Sequence, residues 1–301
     1  MRVLTFATIL ILTLYATSVS AQDSEITLKP TVIFPGLTML EGDGGFTGGN
    51  VSLLTGDDAI ILIDDGLEPF GTLLLSSINE HSDRPVDFVI NTHVHGDHVG
   101  ANRALHMTGA TIVAHDNIRR RLQEQGWQHA DGFRPAEPDE LPQVTFSDAV
   151  TFHLNGQTAR VLHVPHAHTD GDSFIHFSDS NVIHAGDVMF NGLFPFIDLD
   201  SGGSVPGYLA AQRKVLDLAD KDTQIIPGHG PMGSKADLQT AHEMLLDANA
   251  RIKAMVDAGK TEEEIVAENP LADYHDNWNW GFITTERMTR TLYRSNSTET
   301  R

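Results

Sequence analysis

Four residues within six positions carry the sharpest chemistry in this chain: His93, His95, Asp97 and His98. They follow the apolar run Val86–Ile90, which reads as a short buried strand. In extended backbone alternate side chains point the same way, so His93 and His95 can reach one cation together. Gly96 lets the chain turn, so Asp97 and His98 point elsewhere and could hold a second cation. Imidazole with carboxylate suits zinc and is also compatible with iron or manganese. Two histidines do not close such a site, and further donors stand where other strands are expected to end: His168, Asp187 and His229. His166 offers an alternative donor, although the Thr169-x-Gly171 pattern favours His168. Asp64, closing another strand, can orient a ligand imidazole through its ring N–H or cap a turn. His163 and His184 fall in expected strands and read as core or supporting residues. The chain has no cysteine, which excludes disulfides, thiol nucleophiles, iron–sulfur clusters and cysteine zinc sites.

The elements that must position these groups are strands first. Thr31–Phe34, Asn50–Leu54 and Ala59–Ile63 alternate or run apolar, with turn signals at Glu41–Gly45 and Gly56–Asp58 between them. A helix with Leu74, Leu75 and Ile78 on its inner face follows. Thr111–Ala114 reads as a strand, Asn117–Gln125 as a helix and residues 126–142 as a polar, proline-bearing loop. In the second half Val144–Phe146, Val150–Leu154, Thr158–Val164, Ser173–Phe177, Val182–His184 and Gln224–Pro227 read as strands. Asn155-Gly156 supplies a two-residue hairpin turn. Helices are expected over 206–219 and over 235–258 with Ser234 as N-cap, and Thr261–Glu264 opens another with a capping box. The tail Asn296–Arg301 is expected to fray. This pattern predicts an α/β (α+β) chain with two sheets face to face and helices outside. It divides into a main domain over 22–260 and a helical extension over 261–301.

The motifs Ile63-Asp64-Asp65-Gly66, His93-x-His95-x-Asp97-His98, His168-Thr169, Gly186-Asp187 and Pro227-Gly228-His229-Gly230 resemble those of the metallo-β-lactamase superfamily, in the same order and over about residues 31–232. The resemblance implies a four-layer αββα sandwich with two Zn2+ at the sheet edges. It implies that His93, His95 and His168 hold the first metal, that Asp97, His98 and His229 hold the second, and that Asp187 bridges them. A water bridging the metals would be activated to hydroxide without a protein base, with Asp97 orienting it and passing on its proton. Where one β-lactamase subclass has a ligand cysteine this chain has Asp187, and where that subclass has a lysine for the drug's carboxylate it has Phe190. The ligand set looks more like the glyoxalase II and lactonase branches.

Around the site, Asn191 is a candidate oxyanion donor. Phe46, at the tip of Gly44–Gly49, is a candidate substrate contact, with Phe190. Phe194 and Phe196 form a candidate wall, and Trp278 and Trp280 a candidate lid. A net charge of −21, from 41 acidic and 20 basic residues, argues against nucleic acid as partner and leaves a small-molecule substrate. Met1–Ala21 reads as a cleavable secretory signal peptide, so the expected protein is periplasmic or secreted, with no membrane anchor after cleavage. Oligomeric state is not legible. The leading expectation is an exported binuclear zinc hydrolase that opens a cyclic amide or ester. β-Lactam hydrolysis ranks first, and a lactonase of the acyl-homoserine-lactone type, or another ester or thioester hydrolase, ranks second. Two readings from other classes are a metal-binding module without catalysis and an iron-dependent sulfur oxidoreductase.

Overall fold

Apolar alternation in the first half of the chain builds one sheet. The computed structural model describes residues 26–129 and 132–299; the expected signal peptide over 1–21 lies outside them. Strands β1 (Thr27–Phe34), β2 (Leu37–Asp43), β3 (Val51–Leu54) and β4 (Ile61–Ile63) form an antiparallel meander. Helix α1 (Gly71–His81) then crosses to β5 (Phe88–Ile90), which pairs parallel with β4. The short helices α2 (Gly96–Val99) and α3 (Asn102–Met107) lead to β6 (Thr111–His115), parallel to β5, and α4 (Asp116–Glu124) follows. A small hairpin of β7 (Trp127–His129) and β8 (Gly132–Arg134) precedes β9 (Val144–Phe146), which completes a seven-stranded sheet in the order β1-β2-β3-β4-β5-β6-β9.

The second sheet comprises β10 (Ala149–Leu154), β11 (Gln157–His163), β12 (Ser173–Phe177), β13 (Val182–Phe190), β14 (Gln224–His229) and β15 (Gly233–Ser234), in that order. Asn155 and Gly156 both take positive φ in the β10–β11 turn, as that dipeptide favours. Helix α5 (Val205–Leu218) carries the chain from β13 to the parallel β14. Helices α6 (Lys235–Asp257), α7 (Glu262–Glu268), α8 (His275–Trp278) and α9 (Thr285–Glu299) follow. Ser234 and Thr261 open α6 and α7 with capping boxes.

Strand periodicity sorts the core into layers. Ile61 and Ile63 face inward with Ile90 and Val113, against Val161, Ile175 and Ile226 of the second sheet. Their alternates Ile60, Leu62 and Val89 face Leu74 and Ile78 of α1 and Leu105 of α3. On the far side Phe174, Ile183 and Ile225 meet Val215 and Leu216 of α5 and Leu238 of α6. The result is the helix–sheet–sheet–helix stack expected from the sequence. A further cluster joins Tyr208, Leu245, Ile252, Ile265, Trp278, Met288 and Leu292, so that residues after 260 close over the end of the second sheet.

Four expectations change. Leu37–Asp43 is a strand, although the apolar pair Met39-Leu40 breaks strict alternation there. Strand β13 runs six residues beyond His184, because Gly186-Asp187 interrupts the apolar run without ending the pairing. The stretch 126–142 is not wholly loop: it holds the β7–β8 hairpin, and Glu140 is buried against Arg134 at 2.9 Å. Finally, α9 continues past Asn296, whose buried amide donates to the Leu292 carbonyl and to Asn249 Oδ1, so the tail is helical as far as Glu299.

Candidate metal centre

Backbone just beyond the edges of the two sheets brings five imidazoles and two carboxylates together. His93 follows β5 by three residues, and His95 stands before α2, which carries Asp97 and His98. His168 comes from the β11–β12 connection, Asp187 from within β13, and His229 from the last position of β14. At Gly186 the β13–β14 register shifts and φ is +50°, and a Cβ there would lie 2.8 Å from Thr92 Cβ. A residue with a side chain would be strained and crowded at that kink, which turns Asp187 into the cleft. Gly228 answers a second close approach, since a Cβ there would collide with Asp187 Oδ1. Asn50 pins this strand to the first sheet, donating to the carbonyls of Pro227 and Gly230 at 2.9 and 2.8 Å.

The donor atoms fall into overlapping groups, each within 4.8 Å. One holds His93, His95, His168 and Asp187; another holds His98, Asp187 and His229; His93 is also within reach of Asp97 and His98. Asp187 belongs to the first two of these groups, with Oδ2 3.3 Å from His168 Nε2 and Oδ1 3.2 Å from His98 Nε2. Asp97 Oδ2 lies 3.3 Å from His229 Nε2. The expected ligand residues are thus side by side, while His166 is exposed and directs Nδ1 to the Gly202 carbonyl.

Hydrogen bonds behind the imidazoles fix which nitrogen faces inward. Thr92 donates its hydroxyl hydrogen to Asp64 Oδ2 at 2.8 Å, so His93 Nδ1, 3.0 Å away, must donate to Thr92 and leave Nε2 bare. His98 Nδ1 donates to Asp64 Oδ2 at 2.8 Å, the supporting role expected of Asp64. His168 Nδ1 donates to the Phe196 carbonyl at 2.6 Å, and His95 Nε2 to Asp198 Oδ2 at 2.9 Å. Four lone pairs therefore converge, and His95 Nδ1 stands only 2.8 Å from His168 Nε2. His93 Nε2 and Asp187 Oδ1 are buried with no hydrogen-bond partner among the described residues. Facing lone pairs at that distance repel unless a proton or a cation sits between them, so this all-nitrogen-and-oxygen set fits a divalent metal.

Electrostatics agree. Burial opposes ionisation of Asp187, yet His98, His229, His93 and His168 together hold its carboxyl well below the usual range. Burial drives His168 down to about 4 and His93 well below its ordinary value. Against the same burial, the neighbouring carboxylates raise His98 well above normal and His229 to about 9. Without a metal, some of these rings must carry the charge that balances Asp187 and Asp97.

The centre opens into a cavity of about 650 Å³. Phe46, Leu67, Phe190, Phe196, Trp280 and Phe282 line it above His95, Asp97, Asp187 and His229. Phe190 and Phe46 stack on His229 at 5.0 and 5.9 Å, and Phe196 stacks on His95 at 5.5 Å. Three expectations are corrected here. Asn191 is no oxyanion donor, because its amide is spent on the carbonyls of Pro231 and Met232. Phe194 is wholly buried in the core, where its carbonyl accepts from Trp280 Nε1 at 2.9 Å. Trp278 also belongs to the core, so only Trp280 of the pair reaches the cavity. Sequence reasoning missed Asp198 and Phe282. The first had as its signal an acidic residue closing an aromatic stretch, and the second continued the aromatic run begun at Trp278.

A family model described as the metallo-β-lactamase superfamily matches residues 44–229. The human acyl-coenzyme A thioesterase MBLAC2 is 25% identical over 207 residues, 60% of this chain and 72% of that protein. Hydroxyacylglutathione hydrolase of Methylococcus capsulatus is 35% identical over 103 residues, 34% of this chain and 33% of that protein. Among solved structures, the metallo-β-lactamase FIM-1 from Pseudomonas aeruginosa in its mono-zinc form is similar in fold, with a TM-score of 0.61 and 19% identity over 76% of this chain and 99% of that one.

Proposed function

Since this chain belongs to the metallo-β-lactamase superfamily, whose members are metal-dependent hydrolases, we propose that it hydrolyses an ester, lactone or thioester bond of a substrate with an apolar acyl group, using two zinc ions. The observation that carries this reading is the aromatic cavity, in which Phe46, Phe190, Phe196, Trp280 and Phe282 surround the approach to the metal centre. Burying an acyl chain there would contribute about 0.8 kcal/mol per methylene. The relative named as an acyl-coenzyme A thioesterase and the one named as a hydroxyacylglutathione hydrolase support the acyl-transfer class.

His93, His95 and His168 would hold one ion and Asp97, His98 and His229 the other, with Asp187 between them. Metal bound there would activate water and polarise the substrate carbonyl. The chain's own groups do the rest. Asp97, 22% exposed at the cavity floor, is kept ionised by His98 and His229 against the effect of burial. As a carboxylate it accepts a hydrogen bond from the attacking water and orients it. Asp64, Thr92, Asp198 and the Phe196 carbonyl hold the imidazoles in their tautomers. The aromatic wall excludes bulk water from the reacting carbonyl.

β-Lactam hydrolysis, ranked first from sequence, moves to second. A β-lactam carboxylate lies two bonds from the scissile nitrogen, and among the described residues no lysine or arginine lines the cavity beside the metal centre to meet it there. The apolar stretch Val3–Tyr15 supports an exported protein, testable by whether the mature chain starts at Gln22. The catalytic reading is tested with zinc-loaded and chelated protein on an octanoyl thioester, a long-chain lactone and a chromogenic cephalosporin. Chelator-sensitive turnover of the thioester or lactone, at least about tenfold above the cephalosporin in kcat/KM, is expected; the opposite ranking would restore the β-lactam reading.

A further inference from the structure

We propose that Arg287, at the rim of the aromatic cavity, binds a carboxylate at the end of the substrate remote from the scissile bond. The proposal rests on the hydrolase reading, because it takes this cavity as the place where substrate lies.

Helix α9 carries three arginines, and two are tied to acids. Arg290 pairs with Glu262 at 3.1 Å and Glu286 at 2.9 Å, and Arg294 pairs with Asp200 at 2.8 Å. Arg287 is placed differently. Its guanidinium carbon lies 4.1 Å from the Phe282 ring centroid and 5.1 Å from that of Phe196, both cavity-lining rings. Nη1 donates to the Phe282 carbonyl at 2.9 Å, and no carboxylate among the described residues is within ion-pair distance. In a chain with 41 acidic residues against 20 basic ones, this half-buried guanidinium at the cavity rim is left without an acidic partner among the described residues.

A guanidinium has five N–H donors in a planar fork, and one bond to a carbonyl leaves most of them unspent. The two aromatic faces stabilise the cation without consuming those donors. They also hold the plane in one orientation, so a bidentate bond to a carboxylate orders little more of the side chain. Phe196 links the two ends of the cavity: it stacks on His95 at 5.5 Å and carries Arg287 at 5.1 Å. A substrate with its reacting carbonyl at His95, Asp187 and His229 and its chain along Phe196 and Phe282 would bring its far end to Arg287. The substrate class is therefore an apolar acyl chain ending in a carboxylate.

The test is an equilibrium titration, independent of turnover. Zinc-loaded full-length protein is titrated calorimetrically with octanoate and with octanedioate, in the wild type, Arg287→Gln and Arg287→Lys. Octanedioate is expected to bind on the order of tenfold more tightly than octanoate in the wild type. Arg287→Gln is expected to erase that preference and Arg287→Lys to keep part of it. Equal binding of the two acids by the wild type, or an Arg287→Gln variant that retains the preference, would overturn the proposal; the second result would make Arg287 only a clamp for Phe282. Turnover of a neutral octanoyl thioester is measured separately. No turnover with the preference intact sinks the hydrolase reading alone, and turnover without the preference sinks the subsite alone.

Discussion

Replacing Asp198 with asparagine should weaken zinc binding far more than the loss of one surface carboxylate would suggest. Asp198 Oδ1 accepts from the Ser201 and Asp200 amides at 3.0 and 3.1 Å, while Oδ2 accepts from His95 Nε2 at 2.9 Å. An asparagine would keep its carbonyl oxygen on the two backbone donors, because an NH2 group cannot accept them. Its NH2 would then face His95 Nε2, which must lose its proton to receive the bond. The proton moves to Nδ1, the nitrogen that stands 2.8 Å from His168 Nε2 within the candidate ligand group. The alternative, two donors face to face, costs a charge-assisted hydrogen bond in a partly buried place, about 1.5–3 kcal/mol. Either route predicts a loss of zinc affinity of about 10- to 100-fold. Competition against a fluorescent zinc chelator at pH 7.5 measures it. Affinity within about threefold of wild type would refute the idea that Asp198 sets the His95 tautomer.

Three further outcomes follow from the same geometry. Gly228→Ala should lower the zinc content of the purified protein, because its Cβ collides with Asp187 Oδ1; full metal loading by elemental analysis would contradict the assignment of Asp187. Phe46→Ala, at a residue 57% exposed, should change stability by less than about 0.5 kcal/mol while raising KM for long acyl substrates; an unchanged KM would remove Phe46 from the substrate site. Burial holds the His184 ring near a pKa of about 4 against an ordinary 6.5, so its contribution to stability is complete above 6.5 and is lost as the pH falls towards 4. His184→Gln should flatten the stability of metal-free protein across that window by up to about 3 kcal/mol, and parallel denaturation curves for variant and wild type would rule this out.

The clustering of the candidate metal-centre residues was legible because their chemistry is written in residue type and spacing. His93 and His95 alternate on extended chain, and His168 and His229 follow apolar runs that became β11 and β14. The layers were legible for the same reason, since alternation at Ile60–Ile63 sends successive side chains to different clusters. What escaped was set by contacts between distant segments. Whether Phe194 or Phe196 faces the cavity depends on Trp280, 84 positions beyond the nearer of them, whose indole N–H ties down the Phe194 carbonyl. Asn191 looked free beside the site until the Pro231 and Met232 carbonyls claimed its amide. Asp198 reaches His95 across 103 positions, a pairing that no local pattern encodes.

Chain-length dependence of catalysis tests the account most directly. Neutral acyl thioesters of four to ten carbons are offered as substrates to the zinc-loaded protein, with and without a chelator. If the aromatic cavity takes the acyl chain and the clustered imidazoles hold the catalytic metal, kcat/KM rises about fourfold per methylene until the cavity fills, and chelation abolishes every rate. A flat series, or hydrolysis that survives complete metal removal, would contradict it.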